Sequence, residues 1–547
     1  PAKRVALRLA VKAGSLDEAD DQQGLAHFIE HMAFNGSAHF KPGELVSYFE
    51  ATGARLGPHV NAYTSFDETV YMLELPTDKP DVVSKGLTAL ADFGGGLTLD
   101  TEQVDRERGV VIEEWRGRLG ASSRVRDRQI PVLYHQSRYA ERVPIGKPDV
   151  IRSAPVERLR AFYDAWYRPE HMAIVVVGDI DAEQIETTVK TTFGALRARA
   201  QALPSPSTAV PLHTDTLVNV ATDPEITQST IQFLTKYPRE GDQRIGDYRR
   251  SLMENLFEGM LNDRFTELAR RPDAKFIGAG GGRGELSASV STFSLRARVD
   301  DGKLPEGLSA LVTEARRVRE FGFAASELDR AKQWILAIYE RALNEQDKTE
   351  SGSLAQEYLN LFLSNQPSPG IAYEHRLVQQ VLPTITLEDV AVLARERLSA
   401  ESRVVLATAP EKPGLTTPSE SDLRAALSSV GTAPLSAWTD TTVTRDLVEK
   451  KPAPAAVVSR RQLADIGVTI VRFANGVEAW LKPTDFKNDQ VVFTMSAPGG
   501  ASLAGADNFA NASLATSFVE LSGMGGLNVL ELEKLLTGKL ASASPFI

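Results

Sequence analysis

The stretch GLAHFIEHMAFNG, residues 24–36, carries His27, Glu30 and His31 in the order H-x-x-E-H. If the segment is helical, His27 and His31 stand one turn apart on one face, with Glu30 beside them. Two imidazoles so placed can ligate one Zn²⁺, and an adjacent carboxylate can take a proton from water at the metal. Leu25, Phe28, Ile29, Met32 and Phe34 would seat such a helix in a core. The polar run GSLDEADDQQG leads into it, and Asn35-Gly36 is a helix stop. As a bare pattern of five residues it fits equally well two histidines of no chemical consequence. The surrounding chain has to decide.

At 547 residues the chain predicts three or four domains. Hydrophobic residues make up 42% and charged ones 24%, which describes a protein with ordinary packed cores. The longest apolar runs, such as AIVVVG at 173–178, have strand length, which predicts no membrane span. Cys is absent, so disulfides, thiolate nucleophiles and cysteine-held zinc or iron–sulfur sites are excluded. Any metal must be held by His, Asp or Glu. A net charge of −11 without a long basic patch argues against a nucleic-acid partner. The chain opens at Pro1 in PAKRVALRLAVKAG, which is already strand-like and reads as trimmed at the front. The lack of a signal peptide therefore carries no information about export.

Residues 5–13 alternate as a strand, and after the histidine segment ELVSYFEATGA reads as a helix closed by Gly53. HVNAYTSFD and ETVYMLELP fit a hairpin or adjacent strands, and 80–97 a helix ending at Gly94-Gly95-Gly96. The segment 101–118, TEQVDRERGVVIEEWRGR, predicts a helix capped by Asp100 or Thr101. Its Glu107 and Glu114 are seven apart, near the face that Val104 and Val111 turn inward. An H-x-x-E-H pair needs a third protein ligand, and Glu107, Glu113 and Glu114 are the candidates. A helix at 155–167, the strand MAIVVVGD and a helix at 181–193 complete a first α+β domain.

After a Pro/Ser/Ala-rich linker, residues 215–409 repeat that style of strands and long helices, one of them expected over 325–362. GAGGGRG at 278–284 reads as a loop: it lacks the Lys-Ser/Thr of a phosphate loop and precedes a strand. Residues 411–460 are linker-like. GVTIVRFANGVEAWLKPTDF is a hairpin about Asn475-Gly476, followed by a strand in VVFTMSAPGG. This last region matches the start of the chain in order and spacing. Laying Ser522-Gly523 on Asn35-Gly36 puts Leu514, Ser517 and Phe518 where His27, Glu30 and His31 stand, which implies a duplicated architecture with one blank copy. The domains expected are 1–205, 212–412, a linker at 413–460, and the start of a third at 461–547, ending in mid-domain.

HFIEHMAFNG, NAYTSFDETVYM, ERGVVIEEW and FYDAWYRPEHMAIVVVGD together resemble the pitrilysin-type inverted-zincin metallopeptidases, which include insulysin and the mitochondrial processing peptidases. Within that family the chain is most similar to bacterial, often periplasmic or secreted, zinc proteases with two homologous halves. The resemblance implies an α+β fold of repeated two-layer domains, with antiparallel or mixed sheets and packed helices forming half-shells. It implies one Zn²⁺ held by His27, His31 and Glu114, with Glu30 as catalytic base and Glu107 as a carboxylate behind the ligands. Asn61, Ala62, Tyr63 and Thr64 match the N-A-x-T strand that lines the cleft and pairs with the substrate backbone. The partners implied are a peptide or unfolded polypeptide, and a second half-shell supplying an Arg and a Tyr, missing here or separate, or a homodimer. A zinc-bearing peptide-binding shell without catalysis is the rival reading.

Overall fold

A computed structural model describes residues 3–547, apart from 432, 442 and 444. The fold is α+β, with helices packed on sheets. β1 (Arg4–Val11) leads through a polar loop to α1 (Leu25–Met32) and α2 (Glu44–Ala51). β2 (Val60–Thr64) and β3 (Thr69–Pro76) pair antiparallel, followed by α3 (Pro80–Gly95) and α4 (Thr101–Gly117). Then come α5 (Ala121–Leu133), α6 (Pro148–Ser153), α7 (Val156–Trp166), β4 (Met172–Gly178) and α8 (Ala182–Phe193).

The four strands form one antiparallel sheet in the order β2-β3-β1-β4, which leaves β2 at an edge. Val5, Leu7, Leu9 and Val11 on one face of β1 share a core with Leu25, Phe28 and Ile29 of α1. On the other face Arg8 is buried and paired with Glu74, and Ala10 packs with Val70. α5 carries no helix signal in its sequence. Its run ASSRVRDRQIPVL is polar and contains Pro131, so neither propensity nor apolar stripe marked it.

β5 (Leu217–Asp223), β6 (Ser229–Pro238), α9 (Ile245–Ala269), β7 (Gly278–Glu285) and β8 (Val290–Val299) follow. After them come α10 (Leu304–Phe321), α11 (Ala325–Asn344), α12 (Ser351–Ser364), α13 (Ile371–Val381), α14 (Leu387–Arg397), β9 (Arg403–Pro410) and α15 (Glu420–Val430). The second sheet runs β5-β9-β6-β8-β7, mixed because β5 and β9 are parallel. Three expectations are corrected here. The glycine run is the edge strand β7: β8 supplies its ladder, and a Cβ on Gly281 would stand 2.7 Å from the Leu295 side chain. The single helix expected over 325–362 is two, α11 and α12, broken by a 3₁₀ turn at Gln346–Lys348. The linker contains α15, begun by a Ser419–Asp422 capping box.

The chain divides into two compact units. One comprises Pro1–Gly322, Thr349–Ser368 and Glu388–Ala437; it holds both sheets above, and in it α12 lies on the face of the first sheet away from α1. The other comprises Phe323–Lys348, Pro369–Leu387 and Trp438–Ile547. In that second unit α11 packs on α13, and β10 (Val457–Leu463), β11 (Val468–Phe473) and β12 (Glu478–Leu481) form a small antiparallel sheet. α16 (Phe509–Ser522) and α17 (Val529–Leu536) end the chain. The strand expected in VVFTMSAPGG is absent, because that run has no ladder partner. Leu514 and Phe518 of the blank copy are 53% and 66% exposed, so neither packs as a core residue here. Among the described residues no single helix is long and apolar enough to cross a membrane.

Candidate metal centre

α1 has eight residues, too few to persist on helix propensity alone. Leu25, Phe28, Ile29 and Met32 hold it, spaced i, i+3, i+4, i+7 and each fully buried. Each such side chain contributes at most about 1.5–3 kcal/mol. That stripe leaves His27, Glu30 and His31 on the opposite side of the helix. At the helix start, Glu18 Oε1 accepts from the Gly24 and Ala26 amides at 2.9 and 2.8 Å. Gly24 has φ +102°, and a Cβ on Gly146 would fall 2.2 Å from the Gly24 Cα, so the two backbones touch where only glycines fit.

α4 supplies the opposing wall. Asp100 caps it, its side chain accepting from the Glu102 and Gln103 amides at 3.0 and 3.4 Å. Val104 and Val111, fully buried, set its rotation. Glu107 and Glu114 each lie three residues beyond a valine, on the flank toward α1.

The side chains converge closely. Glu114 Oε2 lies 3.1 Å from His31 Nε2 and 3.6 Å from His27 Nε2. One ligand atom from each of the three residues falls within 4.8 Å of the others. Two atoms bound tetrahedrally to one zinc stand roughly 3.3 Å apart, so this donor set fits the ion. Of the three glutamates the sequence left open, Glu114 is the one at the histidines. Glu113 is 67% exposed and paired with Arg116. Glu107 Oε1 lies 2.8 Å from His31 Nδ1, and Asn35 Nδ2 donates to Glu107 Oε2 at 2.9 Å and to the His31 carbonyl at 3.1 Å. Arg118 holds the other oxygen of Glu114.

Burial drives His27 down to about 4, with the nearby His31 adding to the shift, so it is neutral at ordinary pH. Burial also works to lower His31, but the hydrogen bonds with Glu107 and Glu114 outweigh it and lift its pKa to about 9. The same His31 contact holds Glu114 down at about 2. Burial raises the carboxyl of Glu30, against the pull of a 2.7 Å hydrogen bond from Thr64 Oγ1 to Glu30 Oε2.

On the edge strand, Asn61 Oδ1 accepts from the Ala62 amide at 2.9 Å, so that amide points outward from the sheet. Tyr63 packs on the face of the sheet opposite α1. The structure thus separates the four N-A-x-T residues: of these, Thr64 reaches the Glu30 carboxylate by its side chain. Asn35, Arg118 and Glu18 went unread in the sequence. Asn35 and Arg118 each stand four residues after a candidate ligand, a signal that was available. Glu18 sits in a polar loop that gives none. Outside the cluster, His39 pairs with Asp92 at 2.8 Å, and His59 Nδ1 accepts from the Arg55 amide.

Residues 1–130 match the family model "Insulinase (Peptidase family M16)", and residues 153–334 match "Peptidase M16 inactive domain". A "Zinc protease PQQL-like" of Arabidopsis thaliana is 32% identical, over 96% of this chain and 52% of that protein. A "Probable zinc protease PqqL" of Escherichia coli is 30% identical, over 72% of this chain and 42% of its own length. The chain thus spans about half the length of the curated relatives it matches. The structure of the first half of the periplasmic protease PqqL from Escherichia coli superposes with a TM-score of 0.74 at 25% identity, over 80% of this chain and 94% of that one. The longer PqqL structure gives a TM-score of 0.75 at 24% identity, over 98% of this chain and 59% of that one, a likeness of fold.

Proposed function

Because the chain belongs to the insulinase family of peptidases, M16, we propose that it is a zinc-dependent endopeptidase acting on peptides or unfolded polypeptides. The observation that carries this is the meeting of His27, His31 and Glu114 within 4.8 Å, with the Glu30 carboxylate beside them. In this reading those three would hold the ion, which would supply the Lewis acidity that lowers the pKa of water toward about 7 and polarises the scissile carbonyl. Glu30 accepts the proton of the attacking water and passes it to the departing amine. Glu107 fixes the tautomer and orientation of His31. An extended peptide adds to the outer edge of β2, where the Ala62 amide exchanges its Asn61 contact for a substrate carbonyl. Asn61 and Tyr63 flank that docking edge.

The domain reading attached to this function makes 1–205 catalytic, 212–412 its homologous partner, 413–460 a linker and 461–547 the start of a third domain. One zinc per chain is expected. The bacterial PqqL proteins support a periplasmic or secreted location, and the length of the relatives supports a second half-shell as partner, whether covalent, separate or supplied by a homodimer.

Cleavage of a quenched, unstructured peptide tests the function. Hydrolysis should vanish with a chelator, return with Zn²⁺, and fall by roughly 10²–10⁴-fold in Glu30→Gln with zinc content unchanged. Equal zinc and unchanged turnover in that variant would remove Glu30 as the base. Zinc binding without any hydrolysis by the wild-type chain would favour the rival, a peptide-binding shell.

A further inference from the structure

We propose that Thr64 is a positioning residue for Glu30, its hydroxyl orienting the carboxylate from the strand along which substrate docks. The inference rests on the peptidase reading above and changes the part given to Thr64 by its motif, which was contact with substrate. Side chains alternate along a strand. Val60 and Ala62 of β2 join the core shared with α1, whereas Tyr63 joins the cluster of Ala10, Val70 and Leu359 on the other face. Thr64 is in phase with Val60 and Ala62, and its Oγ1 donates to Glu30 Oε2 at 2.7 Å.

Behind that contact lies a string of buried hydroxyls. Thr69 Oγ1 stands 3.4 Å from Thr64 Oγ1 and donates to the Ala13 carbonyl at 2.9 Å. Deeper in the core the hydroxyls of Tyr167 and Tyr71 lie 2.9 Å apart. Thr69, Tyr71 and Tyr167 are all fully buried, so Thr64 is backed by groups that have no room to move. A glutamate has three side-chain torsions, and packing on α1 restrains the first ones but not the carboxylate plane. One strong donor on Oε2 sets that plane and leaves Oε1 for the proton to be moved. Because the Thr64 backbone closes the β2–β3 ladder, a peptide that orders β2 also orders the base.

Thr64→Val keeps the shape and removes the donor, and Thr64→Ser keeps the donor. In the zinc-loaded chain, Thr64→Val should lower kcat roughly 10- to 100-fold, with KM within about twofold and zinc content unchanged. Thr64→Ser should restore most of kcat. A rise in KM at unchanged kcat would overturn the proposal in favour of substrate contact, as would a serine variant as slow as the valine one. A crystal structure of zinc-loaded Thr64→Val reads the proposal without any hydrolysis. A Glu30 carboxylate displaced from its wild-type position supports it, and one left in place overturns it. A wild-type chain that cleaves nothing would therefore fail the peptidase reading while the structure still judged Thr64.

Discussion

His31 is braced and His27 is not. Among the described residues His27 Nδ1 is buried without a hydrogen-bond partner, whereas His31 Nδ1 meets Glu107, which Asn35 holds in turn. A carboxylate behind a ligating imidazole raises its basicity and restrains its ring, and losing such a group typically costs 10- to 100-fold in metal affinity. Glu107→Gln should weaken zinc binding by about that factor, and Asn35→Ala by roughly a third as much on a logarithmic scale, since it acts one bond further away. Competition with a chromogenic chelator measures both. Affinity in Glu107→Gln equal to wild type would show that the contact with His31 is incidental. Of this centre the sequence made the H-x-x-E-H triad legible, because helical spacing alone puts it on one flank. Spacing left Glu113 and Glu114 both open, and the resemblance pointed to Glu114: adjacent helix positions differ by about 100°, and the docking of α4 on α1 turns that carboxylate toward the histidines. The role of Thr64 was hidden for a similar reason, since a strand motif does not state what stands opposite its inner face.

At the scale of elements, α1 depends on a carboxyl buried at its N-terminus. Burial lifts Glu18 from 4.5 to about 8, although the amides of Ala26 and Gly24 pull it down. The unfolded chain gives up that proton near pH 4.5 and the folded chain keeps it to about pH 8. The stability this group contributes is therefore complete below pH 4.5 and is lost as the pH rises through 8. Asp17, lifted by burial to about 7, adds to the same slope. Glu18→Gln keeps an acceptor for both amides and cannot ionise. Its unfolding midpoint should match wild type at pH 5 and exceed it at pH 8 by the equivalent of about 1–3 kcal/mol. Urea unfolding of the metal-free chain at the two pH values gives the answer. Parallel pH profiles for the two proteins would rule out Glu18 as the source of the slope. Elements with a strong period, such as α1, α4 and β3, were legible because their own residues specify the buried face. β7 was not: its glycines carry no period, and it is a strand only because β8 lies beside it. The run at 491–500 shows the converse, strand-like residues without a ladder to join.

At the scale of the whole chain, an exposed apolar run and the net charge act on association in opposite directions. Val491, Val492 and Phe493 are 91%, 82% and 81% exposed, and Phe486, five residues earlier, is 77% exposed. A contiguous uncharged run with high strand propensity, left exposed in this chain, is expected to associate with copies of itself. Against this stands a net charge of −11, which holds copies apart at low ionic strength. Salt shortens the reach of that repulsion, from about 30 Å at 0.01 M to about 8 Å at 0.15 M, and leaves apolar attraction intact. The weight-average mass seen by light scattering should therefore rise with salt at pH 7. The paired substitution Val492→Glu with Phe493→Glu adds two charges to the apolar run and should abolish the rise. Zinc affinity should stay unchanged in that variant, because every residue of the metal cluster lies between 27 and 114 in the other compact unit. A mass that is constant across salt, or one that rises equally in the substituted chain, would mean that this run does not drive association. If zinc affinity fell along with association, the metal centre would depend on contacts between copies.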